Sequence, residues 1–219
     1  MAHTKAVVFD FGGVIITSVA EKLVRLSARA GVPPKVFFEA MIGPDHVSTS
    51  DHPWHRIERG EIAQRDMQRL VEPFATAAGF ELHGDEMDVI FEPIYRFNEP
   101  VLERIRTLRT DGYLTALLTN SVKEFRPRLE ADLDIGLFDV FVDSSEVGVR
   151  KPEPEIYALT TSRLGVAADE IVYLDDFEGN VIGARAAGWT AIHVTDPVLA
   201  LAELDLLLSP VTGITPEES

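Results

Sequence analysis

The chain contains no cysteine, which excludes a disulfide framework, a thiol nucleophile and a cysteine-based zinc site, and leaves the redox compartment undetermined. Basic residues are scarce beside acidic ones: 20 Lys and Arg against 36 Asp and Glu give a formal net charge of −16. Nucleic acid and anionic membrane surfaces are thereby disfavoured as general partners. No apolar run reaches membrane-spanning length, and the opening Met-Ala-His-Thr-Lys carries no hydrophobic signal core, so no membrane association and a cytoplasmic location are expected. Internal repeats and low-complexity tracts are missing as well. The 219 residues, 46% hydrophobic and 26% charged, have ordinary globular composition and suffice for one large core with a smaller inserted domain. Oligomeric state is left open.

The stretch Lys5-Ala-Val-Val-Phe-Asp-Phe-Gly-Gly-Val-Ile-Ile16 organises the chain. Ala6 to Phe9 lacks polar alternation and reads as a strand buried on both faces, as in a parallel sheet. It delivers Asp10 to the strand's carboxyl end, where ligand crevices of open α/β sheets lie. Gly12 and Gly13 permit a turn or a close approach that a Cβ would block. By itself an Asp before glycines is a turn as often as a catalytic group.

From Val19 to Ala30 apolar residues recur at helical spacing until Gly31 and Pro33-Pro34; Val36 to Met41 forms a second helical face, closed by Gly43-Pro44. After a polar, turn-rich passage from Asp45 to Pro53, helix resumes at Trp54, with Met67, Leu70, Val71 and Phe74 as an apolar stripe. Helix and strand then alternate: helix from Pro100 to Arg109, strand from Gly112 to Leu118, helix from about Val122, an apolar segment from Phe138 to Val142, helix from Glu153 to Leu164, strand from Ile171 to Leu174, helix from Val181 to Ala187, strand from Ala191 to Val194, and helix from Val198 to Leu207. The fold expected is α/β, a doubly wound parallel sheet in a Rossmann-like three-layer core of residues 1–16 and 94–219, with a helical domain of residues 17–93 inserted after the first strand. The last four residues read as a frayed tail.

The strands stop at polar groups that share one sheet edge: Asp10, Thr119-Asn120-Ser121 and Asp175-Asp176, joined by Lys151 in Gly148-Val-Arg-Lys-Pro152. A carboxylate nucleophile, a hydroxyl, a lysine and a second carboxylate pair are the parts for phosphoryl transfer through an aspartyl-phosphate. Asp10 and Asp176 together can hold Mg²⁺, which prefers oxygen ligands. Pro152 is read as fixing Lys151 just before a helix, Ser121 as the cap of the helix that follows it, and Arg150 as facing water.

On these four motifs the chain resembles the haloacid dehalogenase superfamily of hydrolases, along nearly its whole length. The resemblance implies that Asp10 is the nucleophile, Thr119 the hydroxyl residue of the second motif, Asn120 a contact to the substrate phosphate, Lys151 the third-motif lysine, and Asp175 and Asp176 the acidic pair of the fourth, Asp176 being the more direct metal ligand. It further implies that Gly12 ligates Mg²⁺ through its backbone carbonyl, that Asn180 stands where some members carry another acid, and that the helical insert is a cap that selects the substrate, a small phosphorylated metabolite.

Phosphatases of this superfamily usually carry a second Asp two residues after the nucleophile as acid and base, and here that position is Gly12. General acid–base help contributes roughly 10²–10⁴-fold. Either the leaving group is a good one, as in a sugar 1-phosphate or an acyl phosphate, or a cap residue such as His52 or His55 supplies the proton. The rest of that stretch has a plain reading: Trp54 packs in the bundle, and Glu58, Arg59 and Glu61 pair on its surface. A metal site from His46, His52 and His55 is not expected. Two other functions compete with the phosphatase: a metal-independent 2-haloacid dehalogenase, and a catalytically weakened binding or scaffold domain.

Overall fold

Four consecutive apolar residues cannot line a solvent face, and in the computed structural model of the protein Ala6–Phe9 forms β1, buried throughout. The structure describes residues 3–18, 20–43, 51–83, 86–92 and 95–208. His46, Val19, the expected boundary after residue 93 and the C-terminal tail lie outside them. β1 pairs in parallel with β2 (Leu114–Thr119) and β4 (Ile171–Asp175), β2 pairs with β3 (Val140–Asp143), and β4 pairs with β5 (Thr190–His193). The five-stranded order β3-β2-β1-β4-β5 puts β1 at the centre. The chain runs to one side of β1, then returns to the other, so the strand ends on either side open a crevice over Asp10.

Period-two alternation sends Val7, Phe9, Leu117, Val172 and Leu174 to one face and Ala6, Val8, Ala116, Leu118 and Tyr173 to the other. The first face is covered by α6 (Glu99–Thr110), through Val101, Ile105 and Leu108, by Leu129 of α7 (Arg126–Asp132), and by Leu204 of α11 (Pro197–Leu208). The second is covered by α9 (Pro154–Leu164) and α10 (Glu178–Ala186), through Ile156, Tyr157, Val181 and Ala184; the short α8 (Ser144–Val147) follows β3. Each fully buried Leu, Ile or Phe contributes about 1.5–3 kcal/mol. Parallel strands with helices packed on both faces give the expected three layers. Pro154, not Pro152, is the proline that opens α9. Ser121 caps no helix: its backbone N–H donates to Ser144 Oγ at 3.0 Å, and Lys123–Phe125 begins instead from Val122.

Among the described residues between β1 and α6 lie five α-helices, α1 (Ala20–Ala30), α2 (Pro34–Ile42), α3 (Pro53–Glu58), α4 (Met67–Ala77) and α5 (Glu86–Phe91). They share a core of their own that includes Leu23, Phe37, Met41, Ile57, Val71 and Phe91. On α4 the buried line is Met67, Val71 and Ala75; Phe74 lies one step round the helix and is 41% exposed. Among the described residues no helix is long and apolar enough to cross a membrane.

The insert leaves and rejoins the sheet domain through one paired crossing. Ile16 bridges Phe97, the Thr17 N–H donates to the Arg96 carbonyl at 2.9 Å, and the Asn98 N–H donates to the Ile15 carbonyl at 2.8 Å. Asn98 Nδ2 adds a bond to the Val14 carbonyl at 2.6 Å. A second tie joins α3 to the loop before α9. Arg150 Nε donates to Glu58 Oε2 at 2.5 Å, and Arg59 NH1 donates to Glu153 Oε1 at 2.9 Å. Arg150 and Glu58 are each 7% exposed, so neither sits in solvent as the sequence suggested. Their partners are 92 positions apart, and each charge is tolerated inside because the other neutralises it.

This pairing predicts a non-additive response. Arg150→Met leaves the Glu58 carboxylate buried and unpaired and lowers unfolding stability by about 3 kcal/mol, whereas Glu58→Met with Arg150→Met costs less than about 1 kcal/mol. Urea unfolding of the two singles and the double measures it, and additive losses would contradict the pairing.

Candidate active site

Three strand ends and one loop converge on a single ammonium. Lys151 is 1% exposed, and its Nζ lies 2.7 Å from Asp10 Oδ1, 2.7 Å from Asp175 Oδ2, 2.9 Å from the Tyr173 hydroxyl and 3.2 Å from the Leu118 carbonyl. Asp10 itself is registered at the end of β1 by its N–H bond to the Leu174 carbonyl, 2.9 Å. Burial pulls the Lys151 pKa down, but Asp10 and Asp175 outweigh it and the net shift is upward, so the lysine stays charged. The carboxyls show the opposite strain. Burial first, then Asp175 and Asp176, push Asp10 well above the usual carboxylate range, with Lys151 pulling against them. Asp176 is pushed up to about 6, by burial and then by Asp175. More negative charge is assembled here than one ammonium offsets.

That excess fits a hard divalent cation. Ligand oxygens of Asp10, Asp175 and Asp176 lie within 4.8 Å of one another, an all-oxygen donor set of the kind Mg²⁺ takes. Asn180, beside them, donates Nδ2 to both Asp175 oxygens, at 3.2 and 3.0 Å, while its buried Oδ1 has no partner. Asp175 is the more heavily engaged carboxylate: it also accepts from the Phe177 N–H at 2.7 Å and from the Tyr173 hydroxyl. Asp176 accepts Ser18 Oγ at 3.0 Å. Asp175 is therefore built to orient Lys151 and Asn180, and Asp176 is freer to ligate.

The two glycines divide their work. Gly13 has φ +71°, and a Cβ there would fall 1.9 Å from Asp176 Oδ2; only glycine lets that carboxylate come in. A Cβ on Gly12 would meet nothing within 4 Å, so close approach does not require glycine there, contrary to expectation. Gly12 borders the cavity above the site, and Gly13 is not among the residues lining it. Thr119, 3% exposed, lines that cavity too, as does Asn120. Asn120 is committed to the lysine: Nδ2 donates to the Lys151 carbonyl at 3.0 Å, and Oδ1 accepts the Lys151 N–H at 2.8 Å. It positions Lys151 by clamping its backbone.

The histidines separate as well. His52 caps α3, accepting the Trp54 N–H on Nδ1 at 3.2 Å, with Nε2 3.2 Å from the Ala40 carbonyl, and it does not line the cavity. His55 does, but burial, then Arg150 and His52, lower its pKa to about 3. It is a neutral imidazole at ordinary pH, with Nδ1 unpartnered, and holds no acidic proton to give as imidazolium. Four residues with a part in the site were not singled out for it: Tyr173, Ser18, Glu58 and Arg150. Tyr173 was within reach, since period two places it on the same face as Asp175. The others make their contacts across 92 and 158 positions, for which local pattern carries no signal.

Over the strand ends, between sheet domain and helical insert, lies a cavity of about 350 Å³, the size range of small-molecule sites.

Comparison with known proteins matches this architecture. Residues 4–188 match the family model of haloacid dehalogenase-like hydrolases. Acyl-CoA dehydrogenase family member 10 of Mus musculus is 31% identical over 214 residues, 93% of this chain, which spans only 19% of that protein's length. Sesquiterpene phosphatase astK of Aspergillus oryzae is 26% identical over 208 residues, 93% of this chain and 96% of its own. Among solved structures, a HAD family enzyme of Bacteroides thetaiotaomicron, an Asp-to-Ala mutant in complex with magnesium and inorganic phosphate, superposes with TM-score 0.62 at 20% identity, covering 87% of this chain and 93% of its own. With a parallel five-stranded sheet, a helical insert after β1 and a family match over residues 4–188, the chain belongs to the haloacid dehalogenase-like hydrolases.

Proposed function

We propose that this chain is a capped, Mg²⁺-dependent phosphatase with an Asp-Phe-Gly-Gly first motif, hydrolysing a small phosphorylated metabolite through an aspartyl-phosphate on Asp10. The observation that carries the reading is the cluster of Asp10, Asp175 and Asp176 oxygens within 4.8 Å, of which Asp10 and Asp175 bind Lys151. Carbon displacement by a dehalogenase has no use for such a pair beside its nucleophile. A scaffold has no use for it either, because buried ion pairs are replaceable by apolar packing without loss of stability. The phosphatase relative matched over nearly its whole length supports the same reading, as do the magnesium and phosphate bound to the Bacteroides enzyme.

Asp10 presents a carboxylate whose Oδ1 is held by Lys151, which leaves the second oxygen to attack phosphorus as the bond to the leaving oxygen breaks. Lys151 and the Thr119 hydroxyl face the phosphoryl oxygens, and Asn120 keeps the lysine in register. Asp10, Asp176 and the Gly12 carbonyl would hold a Mg²⁺ ion, which would supply further neutralisation of charge on the phosphoryl group. Water then cleaves the acyl phosphate and regenerates Asp10. The departing alkoxide must take up a proton, and since neither Gly12 nor the neutral His55 supplies one it is drawn from water, so that turnover is slower for esters of weakly acidic alcohols.

Two outcomes test this. An aryl phosphate is hydrolysed with Mg²⁺ and not with chelator, and Asp10→Asn lowers kcat/KM at least about 10³-fold; chelator-insensitive halide release from a 2-haloacid would sink the reading. The open space at Gly12 admits an acid, so Gly12→Asp raises kcat for alkyl phosphates about 10²-fold and changes kcat for the aryl ester far less. Equal effects on both esters would show that proton delivery to the leaving group is not what the glycine withholds.

A further inference from the structure

We infer that the alcohol half of the substrate is an uncharged, apolar chain, making the substrate a phosphomonoester of a hydrophobic alcohol; this rests on the phosphatase reading and names its substrate class. The cavity that begins at Asp10 and Lys151 runs on between Leu23, Phe38, Ile42, Trp54, Ile90 and Phe125. These six come from α1, α2, α3, α5 and the segment after β2, so the apolar wall is built jointly by insert and sheet domain. It is contiguous with the site, and it sits where the group esterified to the phosphate must lie.

Charge points the same way. A substrate with a second phosphate or a carboxylate needs a cation to receive it, and the cations of the described lining are already engaged by the chain. Lys151 serves Asp10 and Asp175, and Arg150 donates to Glu58 at 2.5 Å. Arg128 donates to Asp132 at 2.5 Å, and Lys22 to the Glu92 carbonyl at 2.5 Å. Deeper in the cavity Glu58 takes Trp54 Nε1 at 2.8 Å and Asn120 Nδ2 at 3.4 Å besides Arg150, and among the described lining residues the buried side-chain atoms without a protein partner are His55 Nδ1 and Asn180 Oδ1. A polyhydroxylated sugar would exchange its water for aromatic and aliphatic walls, losing more hydrogen bonds than these two atoms can replace. An alkyl or alkenyl chain gains instead, at about fourfold in binding for each fully buried methylene.

The test is a series of butyl, hexyl, octyl and decyl phosphate, each below its micelle-forming concentration, with an aryl phosphate, glycerol phosphate and a hexose phosphate as comparators, assayed on the whole chain with Mg²⁺. The expected result is kcat/KM rising about two- to fourfold per added methylene until the cavity is full, with glycerol and hexose phosphates below butyl phosphate. Phe38→Ser and Ile90→Ser each lower the ratio of decyl to butyl kcat/KM about tenfold, a readout internal to each variant and so independent of how much of it folds. Aryl phosphate hydrolysis with a flat or falling alkyl series, or with hexose phosphate preferred, overturns the inference and leaves the phosphatase reading standing. Phosphate release from none of the esters overturns both.

Discussion

One ammonium, shut away from water, sets the terms for the rest of the site. Lys151 is 1% exposed, and an isolated charge at that depth would lose its proton sooner than stay. It is kept charged by carboxylates that arrive from two adjacent strands, Asp10 from β1 and Asp175 from β4. Those strands are neighbours only because the chain reverses direction in the sheet about β1. The topology and the lysine thus depend on each other: without the crossing the carboxylates are apart, and without the lysine their convergence is repulsive. Even with it, Asp10 and Asp176 remain raised, an imbalance that a divalent cation removes.

The insert contributes a different kind of constraint. Its core, gathered around Phe37, Met41 and Val71, is distinct from the clusters on the two sheet faces and takes in Val122 from the segment after β2. Its contacts to the domain below combine the Glu58–Arg150 and Arg59–Glu153 ion pairs with apolar packing of Phe91 against Phe125 and of Val122 into the insert's core. Arg150 immediately precedes Lys151, so the salt bridge that seats the insert also holds the loop that carries the site's lysine. Seating of the insert and placement of Lys151 share a segment of backbone.

The parts of this legible in the sequence were those encoded by neighbours. β1 has the limits its apolar run implied, Ala6–Phe9, and Asp10, Thr119 and Asp175-Asp176 stand where strand-ending polar residues must. Three kinds of information were not local. Arg150 read as a surface residue because its counter-charge lies 92 positions away. Gly12 and Gly13 look alike in sequence, and only the approach of Asp176 shows which one the backbone needs. The two histidines of α3 are equivalent by composition; one is consumed by a helix cap and the other by burial.

The paired crossing at Ile16 and Phe97 makes everything between them a closed loop hung from a fixed base. The entropy cost of closing such a loop grows only with the logarithm of its length, each doubling adding about 0.6 kcal/mol. Residues can be added to or removed from the five-helix insert at little cost to the sheet below, provided the base pairing survives. The cavity's ceiling is therefore the inexpensive part of the molecule to rebuild, and its floor the expensive one.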